Sequence, residues 1–221
     1  MGVKVLASSS EASEWKSGGS PTTFNNIYLG EKYDARMEAS FAGWAGGTGT
    51  HFDASAWSVP VVATHKLGAM VAQSVPPIRR QGVIHPTVLS ASARKSSAPT
   101  ENTTTILDTG RNHAGTCRFR FGGSKAGDVV ALRFGELLHA DGTLNPMTSA
   151  AGQIKGSNPK EPCQPALGFQ GDVFTLSGKG VDEWTPAWSW HGYRYIEVTV
   201  PSGVKLAPDS IECYPMRTDV N

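Results

Sequence analysis

The chain has 221 residues, with 20 Lys and Arg against 19 Asp and Glu, for a formal net charge of +1. That balance leaves no electrostatic footprint for nucleic acid or an anionic membrane surface, and no run approaches the ~18 apolar residues of a membrane span. The 25 Gly and 14 Pro suit many turns and few long helices, in a chain long enough to bury a core without staples.

The N-terminal stretch 1–7 has no long apolar segment, so no secretory leader is visible. Leu6 stands at the Ser/Thr position of a myristoylation signal, which makes that reading poor. Location therefore stays open between cytoplasmic and secreted after loss of a leader. Val3 and Val5 open a first short strand. Tyr33, Ala35 and Met37 alternate with Asp34, Arg36 and Glu38, the period of two that marks a half-buried strand. Residues 53–57 read as a short turn of helix with Asp53 as its N-cap. Residues 59–63 and 82–84 are further short strands.

Residues 104–108 and 116–121 are two strands separated by a Gly- and Asn-containing turn, and 128–134 is rich enough in apolar groups for a central strand. Residues 173–176, 193–200 and 211–214 complete the set. Gly122-Gly123-Ser124, Asp141-Gly142-Thr143 and Ser177-Gly178-Lys179-Gly180 supply turn chemistry between them. Two connections, 90–101 and 145–165, are long enough to be functional or mobile loops. No internal repeat and no domain boundary is apparent. The expectation is an all-β fold, an antiparallel β-sandwich (jelly roll), as a single domain over 1–221.

Catalytic signatures are missing. Cys117, Cys163 and Cys213 form no C-x-x-C pair, which leaves open one disulfide with a free thiol or three buried thiols. The sequon Asn102-Thr103-Thr104 matters only in a secreted chain. No His pair has zinc-enzyme spacing, and His191 reads as a hydrogen-bonded structural residue in the bend before a core strand. Asp34, Asp108, Glu136 and Asp141 show no pairing of the kind a glycosidase uses. No nucleophile elbow, phosphate loop or dinucleotide fingerprint is present.

The densest chemistry lies in 25–36, Asn-Asn-Ile-Tyr-Leu-Gly-Glu-Lys-Tyr-Asp-Ala-Arg. Amide and carboxylate oxygens there suit a hard cation or sugar hydroxyls. Asn25 and Asn26 are equally good turn formers before a strand. Of the six tryptophans, most are expected to fill core or rim. Trp44 is the exception, because the loop Gly43-Trp44-Ala45-Gly46-Gly47-Thr48-Gly49 is too Gly-rich to bury it deeply.

These residues carry a family resemblance. Tyr28-x-Gly30-Glu31-x-Tyr33-Asp34-Ala35-Arg36, Phe52-Asp53-x-Ser55-x-Trp57 and Pro76-Pro77-Ile78-Arg79 resemble the non-catalytic β-sandwich region of bacterial α-L-rhamnosidases of glycoside hydrolase family 78. Asp108-x-Gly110-Arg111-Asn112-x-Ala114-Gly115, Leu132-Arg133-Phe134-Gly135-Glu136, Asp141-Gly142-Thr143-Leu144, Trp184-x-Pro186 and His191-Gly192-Tyr193-Arg194-Tyr195-Ile196-Glu197-Val198 continue it collinearly. The resemblance implies the accessory jelly roll of carbohydrate-binding module family 67, which holds terminal L-rhamnose through a calcium ion that touches the sugar.

On that resemblance Asn25 and Asn26 fall at the metal-ligand position, with a carbonyl of Pro76 or Pro77 as a further ligand. Trp44 and Arg79 join Asn25 and Asn26 as sugar-binding candidates. Asn25 stands where Asp is expected, and the lost charge weakens calcium affinity. The catalytic (α/α)-barrel of the family lies beyond the resembling region, so the expected role is calcium-assisted binding of a rhamnose-containing glycan without catalysis. The alternatives are an accessory fragment of a full-length α-L-rhamnosidase and a polysaccharide-degrading enzyme in its own right.

Overall fold

The computed structural model describes residues 15–45, 52–61, 68–69, 71–94, 102–155, 165–206 and 211–220. The expected strand at Val3–Val5 and the second half of the one at 59–63 lie outside these residues, and 59–61 are not strand. The chain divides into two compact units, one of Met1–Ser20 with Met37–Val75 and one of Pro21–Arg36 with Pro76–Asn221.

In the first unit an isolated antiparallel bridge joins Ser17 to Ser58. Trp57 packs against Phe41 and Phe52, with ring centroids 5.8 and 5.1 Å apart. The expected helical turn at 53–57 is a reverse turn instead, closed by Trp57 N–H donating to the Ala54 carbonyl at 3.0 Å. Asp53 takes the Ser55 N–H at 2.8 Å, a side-chain bond that competes with helix propagation.

The second unit is an all-β sandwich. Its long strand β5 (Asn102–Gly122) runs antiparallel to β13 (His191–Pro201), which pairs on its other side with β6 (Val129–Gly135). β6 pairs with β11 (Gly171–Thr175), and β11 lies parallel to β2 (Gly30–Asp34), which forms a hairpin with β1 (Thr22–Asn26). The other edge of β5 changes neighbours along its length. First comes β4 (Thr87–Arg94), then β15 (Glu212–Thr218); at the end of β5, β12 (Val181–Trp184) and β14 (Lys205–Leu206) both pair with Phe121 and Gly122, one on each edge. β15 carries β3 (Ile78–Arg80) at the far end of the order.

Side-chain alternation builds the core. Cys117, Phe119 and Phe121 of β5 point inward with Val130, Leu132 and Phe134 of β6, Phe174 of β11 and Trp184 of β12. β13 contributes Tyr193, Ile196, Val198 and Val200. Its buried phase slips between Tyr193 and Ile196, because the β5–β13 register breaks there: Tyr193 faces His113 while Tyr195 faces Asp108. Strict alternation would have buried Tyr195. The slip shifts the inward face by one residue. Cys117 and Cys213 are directly opposed across β5 and β15 and form a disulfide, which resolves the open cysteine reading for this pair. Cys163 lies outside the described residues.

Several expected boundaries move. The strand at 33–37 ends at Asp34, whose carboxylate takes the Arg36 N–H at 3.0 Å and holds its guanidinium at 2.6 Å. A 3₁₀ helix, Ala35–Phe41, follows. The strands at 104–108 and 116–121 belong to one 21-residue strand. The loop expected from residue 90 begins inside β4. That expected from 145 starts in β8 (Leu144–Asn145), the partner of β7 (Leu137–Leu138), then holds a 3₁₀ turn at Pro146–Ser149 and β9 (Ala151–Lys155), which pairs with β10 (Pro165–Gly168) at the loop's end. These Ser-, Ala- and Gly-rich strands have too little apolar alternation to be seen by periodicity. The expected strand at 82–84 is reduced to a single bridge between Ile84 and Cys213.

Candidate functional site

The conspicuous run 25–36 folds as the β1–β2 hairpin and the turn after it. Asn25 faces Glu31 across the hairpin and Asn26 faces Gly30. Asn26 performs the turn-forming role of its residue type. Its Oδ1 accepts the N–H groups of Tyr28 at 2.9 Å and Leu29 at 3.2 Å. Asn25 is exposed, and among the described residues its amide carries no hydrogen bond.

The hairpin is pinned from below by a buried polar cluster. Gly30 sits at φ +81°, where an added Cβ would lie 1.9 Å from the Gly171 carbonyl oxygen, so no side chain fits. Glu31, 1% exposed, places Oε2 to accept the N–H groups of Ala187 at 3.0 Å and Trp188 at 2.8 Å. Desolvation pushes the Glu31 carboxyl above the usual glutamate range, helped by the nearby Asp172 charge and opposed by those two backbone donors. Asp172, also buried, accepts the Glu31 N–H at 2.8 Å and the Ser189 hydroxyl at 3.2 Å, and its other oxygen lies 3.0 Å from His191 Nε2. The Phe134 ring stacks on His191 at 4.3 Å. His191 is thus the structural histidine expected, at the first position of β13.

This cluster ties the hairpin to the segment 185–190, where Trp188 is 67% exposed. Trp44, in the first unit, is 63% exposed, as its Gly-rich surroundings implied. Its exposure does not set it apart, since Trp15, Trp188 and Trp190 are also exposed. The residues Gly46–Gly49 of its loop lie outside the described residues.

The remaining site candidates lie on the other side of the second unit's strand order. Pro76 and Pro77 precede β3 and are exposed, and the Pro77 carbonyl accepts the Asp219 N–H at 3.0 Å. Arg79 Nε is paired with the Asp219 carboxylate at 2.8 Å. β1 and β3 stand at opposite ends of the sheet path, so a shared site for Asn25 and Pro77 requires the curl of the sandwich to bring its ends together.

As calcium ligands these groups are weak. Asn25 offers one uncharged amide, the Asn26 oxygen already serves two N–H groups, and Asp219, whose N–H binds the Pro77 carbonyl, has its carboxylate held by Arg79. Among the described residues no group of three or more His, Cys, Asp or Glu is placed to hold a metal ion. A calcium ion here would depend on backbone carbonyls, water and the sugar's own hydroxyls for its charge-dipole stabilisation. Asp172 and Ser189 give no signal in the sequence, because a buried polar group in a short strand or a connection looks like a solvated one until its partners are known.

With fold and geometry in place, comparison with known proteins assigns the family. The family described as bacterial alpha-L-rhamnosidase concanavalin-like domain matches residues 98–216, and the alpha-L-rhamnosidase N-terminal domain matches residues 4–82. The chain belongs to the bacterial α-L-rhamnosidase concanavalin-like domain family. It is 32% identical over 189 residues to an alpha-L-rhamnosidase of Streptomyces avermitilis, covering 84% of this chain and 15% of that protein. It is 28% identical over 209 residues to one of Formosa agariphila, covering 93% of this chain and 19% of that protein. The crystal structure of the Streptomyces avermitilis enzyme complexed with L-rhamnose superposes with a TM-score of 0.70 at 28% identity, over 94% of this chain and 17% of that one. The chain therefore spans less than a fifth of the length of these curated relatives.

Proposed function

We propose that the chain is a carbohydrate-binding domain, acting over 1–221, that holds the terminal L-rhamnose of a glycan with assistance from calcium and does not cleave it. The observation that carries this reading is the exposed, uncommitted amide of Asn25 at the end of a hairpin that Glu31 and Asp172 hold rigid from beneath. A site anchored in this way is pre-organised for the vicinal hydroxyls of a sugar. Family membership and the rhamnose complex of the Streptomyces avermitilis relative supply the sugar class.

A second reading is favoured by length. The chain matches only 15–19% of its curated relatives, so the same binding would serve to position substrate for a longer α-L-rhamnosidase. Both readings share one test, titration with L-rhamnose followed by NMR, with calcium and with a chelator. Rhamnose-dependent shifts are expected in calcium and weaker ones in chelator, and no rhamnose signal in either condition refutes both. Asn25→Ala is expected to remove binding with no change in melting temperature. Asn26→Ala is expected to cost stability as well, about 1 kcal/mol, because it frees the Tyr28 and Leu29 N–H groups. Asn25→Asp should tighten calcium binding by restoring a charged ligand.

A further inference from the structure

Away from these residues, the second unit holds a cavity of about 470 Å³, in the size range of small-ligand sites, lined by Gln81, Arg111, Asn112, His113, Met216 and Arg217 among others. β5 is distorted to form one wall. Between Asp108 and His113 it carries four residues where β13 carries only Arg194 between Tyr195 and Tyr193. The excursion is held in place at several points. The Asp108 carboxylate receives Arg194 through two bonds, both 2.9 Å, and takes the Gly110 N–H at 2.7 Å. The Thr109 hydroxyl lies 2.9 Å from the Arg194 carbonyl, and Gly110 adopts φ +79°. The outcome is that Arg111 and Asn112 are displayed, exposed, at the cavity edge. Bulges of this kind re-aim side chains and favour binding sites.

The opposite wall comes from β15 and β3. Gln81 N–H donates to the Pro215 carbonyl at 2.7 Å, which seats Gln81 beside Met216 and Arg217. Arg217 faces Arg79 across the β15–β3 ladder, and Asp219 offsets Arg79. Among the described residues neither Arg111 nor Arg217 has a carboxylate partner, and no carboxylate lines the cavity. The charge there is positive and uncompensated. His113 adds no charge at neutral pH, because burial holds its imidazole below the usual range, and its Nδ1 faces the Arg111 carbonyl at 3.1 Å. Its Nε2 is buried with no partner among the described residues. A buried polar atom left open costs free energy that a ligand hydroxyl or bound water at this wall would recover.

We propose that this cavity is a second carbohydrate subsite, one that takes an acidic sugar: Arg111 and Arg217 receive its carboxylate, and Asn112 and Gln81 its hydroxyls. Guanidinium groups bind carboxylates through charge-assisted, often bidentate hydrogen bonds. Side-chain amides offer the donor and acceptor pairs that ring hydroxyls use, and Met216 supplies an apolar surface for the C–H face. The saccharide half of the inference rests on the glycan-binding reading above, and the anion half stands without it.

The test is a titration of the full chain with D-galacturonate, D-galactose, inorganic phosphate and L-rhamnose, each alone. Galacturonate is expected to bind at least about tenfold tighter than galactose, which differs from it at the carboxylate. Arg111→Gln and Arg217→Gln, both at exposed positions that leave melting temperature unchanged, should each weaken galacturonate about tenfold and leave rhamnose untouched. Equal binding of galacturonate and galactose, or unchanged binding in the double variant, overturns the inference. Phosphate binding as tightly as galacturonate overturns its sugar half and leaves an oxyanion site. Galacturonate binding with no rhamnose signal supports this subsite and refutes the rhamnose reading alone.

Discussion

Replacing Asp172 by Ala should be among the most damaging single changes in the second unit. The carboxylate is buried and accepts the Glu31 N–H, the Ser189 hydroxyl and a contact from His191 Nε2, at 2.8, 3.2 and 3.0 Å. Hydrogen bonds to charged groups contribute about 1.5–3 kcal/mol each, and a buried partner left unsatisfied adds a desolvation cost of about 1–3 kcal/mol. A total loss of about 4 kcal/mol is expected, since the bonds share one acceptor group and do not add fully. His191 would then keep neither ring nitrogen satisfied, because its Nδ1 already has no partner among the described residues. For a chain of this size a loss of about 4 kcal/mol lowers the melting temperature by roughly 8–16 °C.

Asp108→Ala is the comparison. Its fork with Arg194 is half exposed, with the Arg194 side chain 40% open to solvent. A pair of that kind is worth about 1 kcal/mol or less. Asp172→Asn keeps one oxygen for Glu31 and Ser189 and presents an amide donor to His191, so about half the loss is expected. Urea unfolding followed by tryptophan fluorescence gives all three values on one scale. If Asp172→Ala proves no more costly than Asp108→Ala, the cluster is not what holds the hairpin, and the case for a rigid Asn25 site fails with it.

Asp182 should govern part of the acid limb of stability. Burial pulls its carboxyl upward, but bonds from the Ser177 hydroxyl and N–H, the Ser124 hydroxyl and the Gly178 N–H outweigh that and hold it below the usual aspartate range. A depressed carboxyl stabilises the fold above its unfolded pKa of about 3.9, and the contribution disappears as pH falls through the lower folded value. Asp182→Asn should therefore lower the urea midpoint at pH 6 and flatten its fall between pH 4 and pH 2, and an unaltered pH profile would count against the assignment. The disulfide Cys117–Cys213 closes a separation of 96 residues, for which chain-entropy reasoning expects about 4–5 kcal/mol. Cys117→Ala with Cys213→Ala should lose a large part of that, and a melting temperature within a degree of the parent would contradict the cross-link.

Much of the sandwich was legible in the chain because its central strands must bury one face and wet the other. Residues 116–121 and 193–200 announce themselves by alternation and 128–134 by its apolar content, and all three are core strands. β4, β9 and β10 did not, because Ser, Ala and Gly provide no contrast between faces. The merging of 104–108 with 116–121 escaped notice because Gly110 and Asn112 look like a turn between strands. In the fold they form an excursion within a single strand, closed by Asp108 and Arg194, residues 86 positions apart.

The candidate site divides along the same line. Amide chemistry at 25–26 and the exposure of Trp44 follow from residue type and local composition, which act over a few neighbours. Which amide is spent on the turn and which is left free depends on hairpin geometry, where Asn26 Oδ1 meets the Tyr28 and Leu29 N–H groups. The burial of Glu31 with Asp172, and the gathering of Arg111 and Arg217 around one cavity, join segments more than a hundred residues apart. Local pattern carries information about a residue's own face and its nearest turns. Partners across the sheet are set by the register of long-range strand pairing, and a single slip such as that between Tyr193 and Tyr195 changes which side chains meet.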